Sequence, residues 1–167
     1  GAALLALAPD LVVDDLLAGL DPEAPEPPPA LVAALATGRS TPAIRDRARA
    51  VAADPGAGLP HRRAALQVLG GVGDLRTVSF LLGRLRDDPD ARAEVIEALG
   101  EIGHEFAVDP IARWLDATDA GVRLAAARAL VRIGHPTITG PLGRLLDAGA
   151  PVELQVLALE GLGRAGD

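Results

Sequence analysis

From residue 61 onward, apolar positions recur at offsets of three and four, stop at a glycine, resume, and then start again about thirty residues later. Three segments superpose: "HRRAALQVLGGVGDLRTVSFLLGRL" from His61, "ARAEVIEALGEIGHEFAVDPIARWL" from Ala91 and "VRLAAARALVRIGHPTITGPLGRLL" from Val122. "LQVLALEGLGRAGD" from Leu154 repeats the first half only. The overlay puts Gly73, Gly103, Gly134 and Gly166 in register, at intervals of 30, 31 and 32 residues. Before each glycine lies an amphipathic helix: Ala65, Leu66, Leu69 and Val72, then Val95, Ile96, Leu99 and Ile102, then Ala126, Ala127, Leu130 and Ile133. The glycine is expected to close that helix in the left-handed conformation that a residue without Cβ adopts readily. A second apolar set follows: Val78, Leu81, Leu82 and Leu85, then Val108, Ile111, Ala112 and Leu115, then Ile138, Leu142, Leu145 and Leu146. Each repeat therefore reads as a helical hairpin.

The prolines agree with this period. Pro110 and Pro141 occupy equivalent places near the start of the second helix, where a missing N–H costs little, Pro89 falls between repeats, and Pro151 stands shortly before or at the start of the next first helix. Toward the N-terminus the pattern weakens. Leu16, Leu17 and Leu20 stand 65 residues before Leu81, Leu82 and Leu85, about two periods. The gap predicts one divergent repeat, its helices "ALVAALATG" (30 to 38) and "TPAIRDRARAVAADPG" (41 to 56), preceded by the acidic, proline-rich "DPEAPEPPPA" as an extended turn. The organisation expected is one domain over 1–167: a partial repeat at 1–20, the divergent repeat at 21–59, regular repeats at 60–89, 90–120 and 121–150, and the first helix of a further repeat at 151–167.

The pattern "DARAEVIEALGEIG" and "GVRLAAARALVRIG", followed by a Leu-rich second helix, resembles HEAT-like repeats, specifically the short class of phycobilisome-lyase-type proteins. That resemblance implies an all-α fold, an α-solenoid of stacked antiparallel helix pairs with one helix layer convex and the other concave. The physical reading points the same way, because no single hairpin here can bury its apolar face alone. Both ends cut through a repeat, so the chain is read as part of a longer array, with Leu4, Leu7, Leu159 and Leu162 near exposed ends and end-to-end self-association expected.

Composition narrows the function. Ala, Leu and Val dominate an apolar fraction of 49%, which suits closely packed helices, and every Lys/Arg position is arginine, the mark of a GC-rich genome. The net charge of −7 sets the general field against phosphate backbones, so nucleic acid is not an expected partner. With no cysteine there is no disulfide framework, thiolate nucleophile or Cys-ligated zinc. No apolar run reaches the length of a membrane span.

"EIGHEFAVDPIARWLD" (101 to 116) first suggests chemistry, since it holds the single tryptophan and a His-Glu pair. Register argues otherwise. Asp74, His104, His135 and Asp167 all directly follow a registered glycine, so His104 reads as a turn residue, and Glu105 aligns with Leu75 and Pro136. A shared metal between His104 and His135 is disfavoured, because equivalent positions in stacked helices lie roughly 8–10 Å apart while zinc ligands sit about 2 Å from one ion. Arg62, Arg92 and Arg123 form a ladder eleven residues before their glycines, with Gln155 in the fourth slot. Each is expected to satisfy a carboxylate or a helix-end carbonyl, with Asp88, Asp90 and Asp119 as nearby acceptors. Arg113 and Arg144 recur on the second helix, Arg84 is shifted by one place, and Trp114 lies beside Arg113. A tryptophan flanked by arginines has the composition of an interface hot spot, with filling of space between repeats as the competing role. The acidic group Asp10, Asp14, Asp15, Asp21, Glu23 and Glu26 reads as a solvated face.

No catalytic arrangement stands out, so no cofactor, metal or enzyme activity is expected. The expected function is a non-catalytic scaffold that binds a protein or peptide on the concave second-helix face, through Arg84, Arg113, Trp114 and Arg144. The resemblance also allows a bilin lyase or chaperone and, less well, a DNA-alkylation-repair-like glycosylase.

Overall fold

A computed structural model describes residues 17–37, 42–146 and 149–165. Among these residues all regular structure is helical. The helices are α1 (Pro29–Thr37), α2 (Pro42–Ala53), α3 (Leu59–Val72), α4 (Leu75–Asp87), α5 (Arg92–Ile102), α6 (Val108–Ala112), α7 (Ala120–Ile133), α8 (Thr139–Gly143) and α9 (Val152–Ala165). Short 3-10 segments flank two of them: Glu105–Ala107 and Arg113–Asp116 around α6, and Pro136–Ile138 and Arg144–Leu146 around α8. The fold is all-α and of the α-solenoid class, built from repeated helix pairs. The partial repeat at 1–20, with Leu4, Leu7 and Leu16, lies largely outside the described residues, as do Asp10, Asp14, Asp15, Gly166 and Asp167.

Two compact units divide the chain, one up to Thr77 and one from Val78. In the first, α3 packs against both α1 and α2. Val32 and Leu35 of α1, Ile44, Ala48 and Val51 of α2, and Ala65, Leu66 and Leu69 of α3 are buried there. The proline-rich 21–28 stretch is turn and bend, tied down where Arg47 Nη2 meets Asp21 Oδ2 at 3.0 Å. Proline removes N–H donors and fixes φ, so this run cannot enter a helix until Pro29, where a first-turn proline is harmless.

In the second unit, α5, α7 and α9 are first helices stacked in sequence, and the second-helix segments pack beside them. Val95, Ile96 and Leu99, then Ala126, Ala127 and Leu130, are buried as the periodicity predicts. The second-helix set Val108, Ile111, Ala112 and Leu115 is buried too, followed by Ile138, Leu142 and Leu145. Small residues bring the first helices close. A Cβ placed on Gly100 would lie 2.7 Å from Ala129 Cα and Cβ, and one on Gly161 would lie 3.0 Å from Val131 Cγ2 and collide with Leu142.

The registered glycines behave in two ways. Gly103 (φ 71°) and Gly134 (φ 63°) are left-handed, and their N–H groups donate to the carbonyls of Leu99 and Leu130, closing α5 and α7 as expected. Gly73 differs: its φ of −69° and ψ of 158° are extended backbone open to any residue.

Candidate functional site

The residues that follow the registered glycines cap the next helix. Asp74 Oδ1 accepts from the Thr77 N–H and from the Thr77 hydroxyl, each at 3.0 Å. His104 Nδ1 accepts from the Phe106 N–H at 3.2 Å and His135 Nδ1 from the Thr137 N–H at 3.4 Å. Aspartate and histidine interchange here because each presents an acceptor to an orphan helix-start donor. In this role the neutral imidazole carries its proton on Nε2. For His135 that nitrogen lies 2.9 Å from Glu105 Oε2, linking successive hairpin turns. His104 instead lies against the exposed Phe106 ring, centroids 4.7 Å apart. The opening His-Glu pair is thus split: Glu105 faces the histidine of the next repeat. Among the described residues no cluster of three or more His, Asp or Glu could hold a metal ion.

The arginine ladder donates to main-chain carbonyls. Arg62 Nη1 reaches Ala57 O at 2.9 Å, Arg92 Nε reaches Leu85 O at 3.2 Å, and Arg123 Nη1 reaches Ala117 O at 2.6 Å and Thr118 O at 2.9 Å. Gln155 Nε2, in the fourth slot, reaches Ala150 O at 3.2 Å. Each donor stands in the first turn of a first helix and leans back over the linker that precedes it. It satisfies carbonyls that no helical N–H can reach. Asp119 caps α7 through the Val122 N–H at 3.0 Å. Asp88 accepts from the Ala91 N–H at 3.3 Å and pairs with Arg84 at 2.6 Å. Sequence register located the ladder but not the Arg84–Asp88 pair, whose acid is buried.

That pair separates Arg84 from the other second-helix candidates. Its guanidinium is turned toward Asp88, with a side chain only 21% exposed. Arg113 and Arg144, ten residues after their glycines, are exposed and have no ion pair or hydrogen bond among the described residues. Trp114 is half-buried, and the Arg92 guanidinium stands over its ring, 4.3 Å from the centroid. Arg92 thus spans three elements: it starts α5, bonds the end of α4 and covers the indole of the 3-10 segment Arg113–Asp116. A cation over an aromatic face at this distance contributes about 0.5–2 kcal/mol. No local signal joins residues 92 and 114. Only their symmetric places, eleven before and eleven after Gly103, hint at the contact.

Residues 86–163 match the family model described as HEAT repeats. This part of the chain is built of HEAT-like repeats. A search of curated proteins found no match. The matched span covers the two hairpins with left-handed glycines together with α9, the part of the chain whose period is most regular. HEAT repeats are commonly protein-interaction scaffolds, and their typical use is non-catalytic. Among the described residues no helix is long and apolar enough to cross a membrane.

Proposed function

We propose that this protein is a non-catalytic interaction module that holds a partner protein or peptide against its row of second helices, with Trp114 and Arg113 at the centre of the contact and Arg144 one repeat further on. The observation that carries the reading is the Arg92–Trp114 stack. It fixes an indole that remains partly exposed, so little side-chain entropy is lost when a partner covers it. Tryptophan and arginine are the residue types that dominate interface hot spots. Arg113 and Arg144 add exposed guanidinium forks at equivalent places in successive repeats, suited to carboxylates or main-chain carbonyls of an extended segment.

The test pairs capture with spectroscopy. Proteins retained from a source-organism extract by the wild-type chain are compared with those retained by Arg113→Glu/Arg144→Glu and by Trp114→Phe, which keeps an aromatic face for Arg92. The double substitution is expected to release the specific partner while the far-UV circular dichroism stays unchanged. Trp114, the single tryptophan, is expected to change its emission when the purified partner is added. Full retention by the double variant, with no change in emission, would reject this face.

A further inference from the structure

The face that holds Arg113, Trp114 and Arg144 also points to the kind of segment it takes, resting on the function proposed above. Ten places after the registered glycines stand Gly83, Arg113 and Arg144, and eleven places after stand Arg84, Trp114 and Leu145. Arg84 is neutralised by the buried carboxylate of Asp88 at 2.6 Å. Arg113 and Arg144 are exposed, and neither guanidinium has an ion pair or hydrogen bond among the described residues. Covering two unpaired cations with a neutral segment would strip their water without return, so the occupant must bring carboxylates. Asp109 and Asp116 stand four residues before and three after Arg113. They repel an acid that arrives out of place, which narrows the register.

Spacing selects the backbone. The two repeats are in direct contact, since His135 Nε2 meets Glu105 Oε2 at 2.9 Å, and equivalent places in stacked helices lie roughly 8–10 Å apart. A β-strand returns to one face about every 6.6 Å, at each second residue. An α-helix returns after about 5.4 Å for one turn or about 10.8 Å for two. A polyproline II helix returns at each third residue, about 9.3 Å on, and falls within the range. The surface suits such a chain. A Cβ at Gly140 or Gly143, beside Arg144, would meet nothing within 4 Å, so an incoming backbone has open space there. Trp114 supplies the aromatic surface on which proline rings dock, steadied from one side by Arg92 at 4.3 Å.

We propose that this face binds an acidic, proline-rich segment of a partner protein in the polyproline II conformation, with carboxylates three residues apart on Arg113 and Arg144 and a proline ring on Trp114. Each guanidinium fork then gains the carboxylate that Arg84 already has in Asp88. A chain that is extended before it binds loses little entropy on docking.

The probe is a fluorescein-labelled peptide of four Glu-Pro-Pro repeats. Its control has the same composition with the glutamates at every second position, so that no two stand three apart. Anisotropy and Trp114 emission are followed as protein and peptide are mixed. Saturable binding is expected for the first peptide, at least tenfold weaker for the control and for Arg113→Glu/Arg144→Glu. Arg113→Gln/Arg144→Gln, which removes the forks without adding charge, is expected to weaken it at least fivefold. All four side-chain changes are at exposed positions, so the circular dichroism of wild type is retained. Absence of saturable binding, equal affinity for the two peptides, or binding indifferent to the double substitutions would overturn the proposal. So would self-association that Arg113→Glu/Arg144→Glu abolishes, which would give the face to the stretch with Glu23 and Glu26 in a second copy. Capture from extract does not depend on the spacing of acids: a partner released there by the double variant, without peptide binding, would leave the face an interface and reject only the acidic polyproline II segment.

Discussion

The second helix at residues 75–87 and its counterparts at 105–116 and 136–146 share one register yet are built differently. The first, α4, is a continuous α-helix of 13 residues. The other two are divided into a 3-10 turn, five residues of α-helix and a second 3-10 turn. Their entries differ as well. An extended Gly73 and an aspartate that reaches three residues ahead open α4, while a left-handed glycine and a histidine that reaches two residues ahead open the others. Pro110 and Pro141 supply the rest of the cause. In a regular α-helix the ring of Pro110 would press on the Phe106 carbonyl and leave it without a donor. A 3-10 turn avoids this, with Ala107 N–H donating to His104 O at 3.0 Å and Ile138 N–H to His135 O at 2.9 Å in the two repeats. What survives the change of helix type is the buried row, Val78, Leu81 and Leu85 against Val108, Ile111 and Leu115. Burial is held constant, and hydrogen-bond geometry adapts to it.

If burial is the invariant, truncating it should cost the same in both kinds of helix. Leu81→Ala and Ile111→Ala, both at fully buried positions, are each expected to destabilise by about 2–5 kcal/mol, read from urea unfolding followed by circular dichroism. A much smaller loss at Ile111 would show that the divided helices are loosely packed and would break the comparison.

The next contrast lies at the glycines. Gly103→Ala forces a left-handed φ of 71° on a residue with a Cβ and is expected to cost about 1–2 kcal/mol. Gly73→Ala, at φ −69°, is expected to stay within about 0.5 kcal/mol of wild type, because ordinary backbone accepts alanine and the unfolded chain loses entropy. Equal losses at the two positions in thermal melts would mean that Gly73 is retained for a reason other than conformation.

Much of this was legible in the sequence, and the parts that were not share a physical reason. Periodicity located α1 to α5, α7 and α9, because three-and-four spacing is set by the helix itself. The prolines marked the joints near Pro89 and Pro151, while the start of α1 at Pro29 lies one residue before the expected Ala30. Register found the arginine ladder, since each arginine sits at a fixed distance from its glycine. The acceptors stayed hidden: a carbonyl at 57, 85 or 117 carries no residue code, so Asp88, Asp90 and Asp119 stood out instead. The division of the second helices was signalled by Pro110 and Pro141, yet a proline near a helix start is equally compatible with a regular helix. The uniform reading of the glycines failed at Gly73 because an extended linker there leads directly into the Asp74 cap. In the candidate site, register and composition singled out Arg113, Trp114 and Arg144 as candidates, but the Arg92 stack and the turn of Arg84 toward Asp88 depend on tertiary packing that no local pattern encodes.

The smallest effect separates the two kinds of cap. Asp74→Ala removes the acceptor of the Thr77 N–H and should cost about 1 kcal/mol at neutral pH, whereas Asp74→Asn keeps an acceptor and should cost a few tenths through the lost charge at the helix start. The hydrogen bond from the Thr77 N–H holds the Asp74 carboxyl below its ordinary range, with Arg45 at 3.7 Å contributing in the same direction. Because the folded pKa lies below the unfolded value, this contribution is fully present above the unfolded value of 3.8 and is lost as pH falls through the folded one. The stability gap between wild type and Asp74→Asn should therefore be constant from pH 7 down to about pH 5 and close in stronger acid. A gap at Asp74 that persists undiminished at pH 2 would show that the carboxylate does not act through its charge, and the two caps would then differ in reach alone.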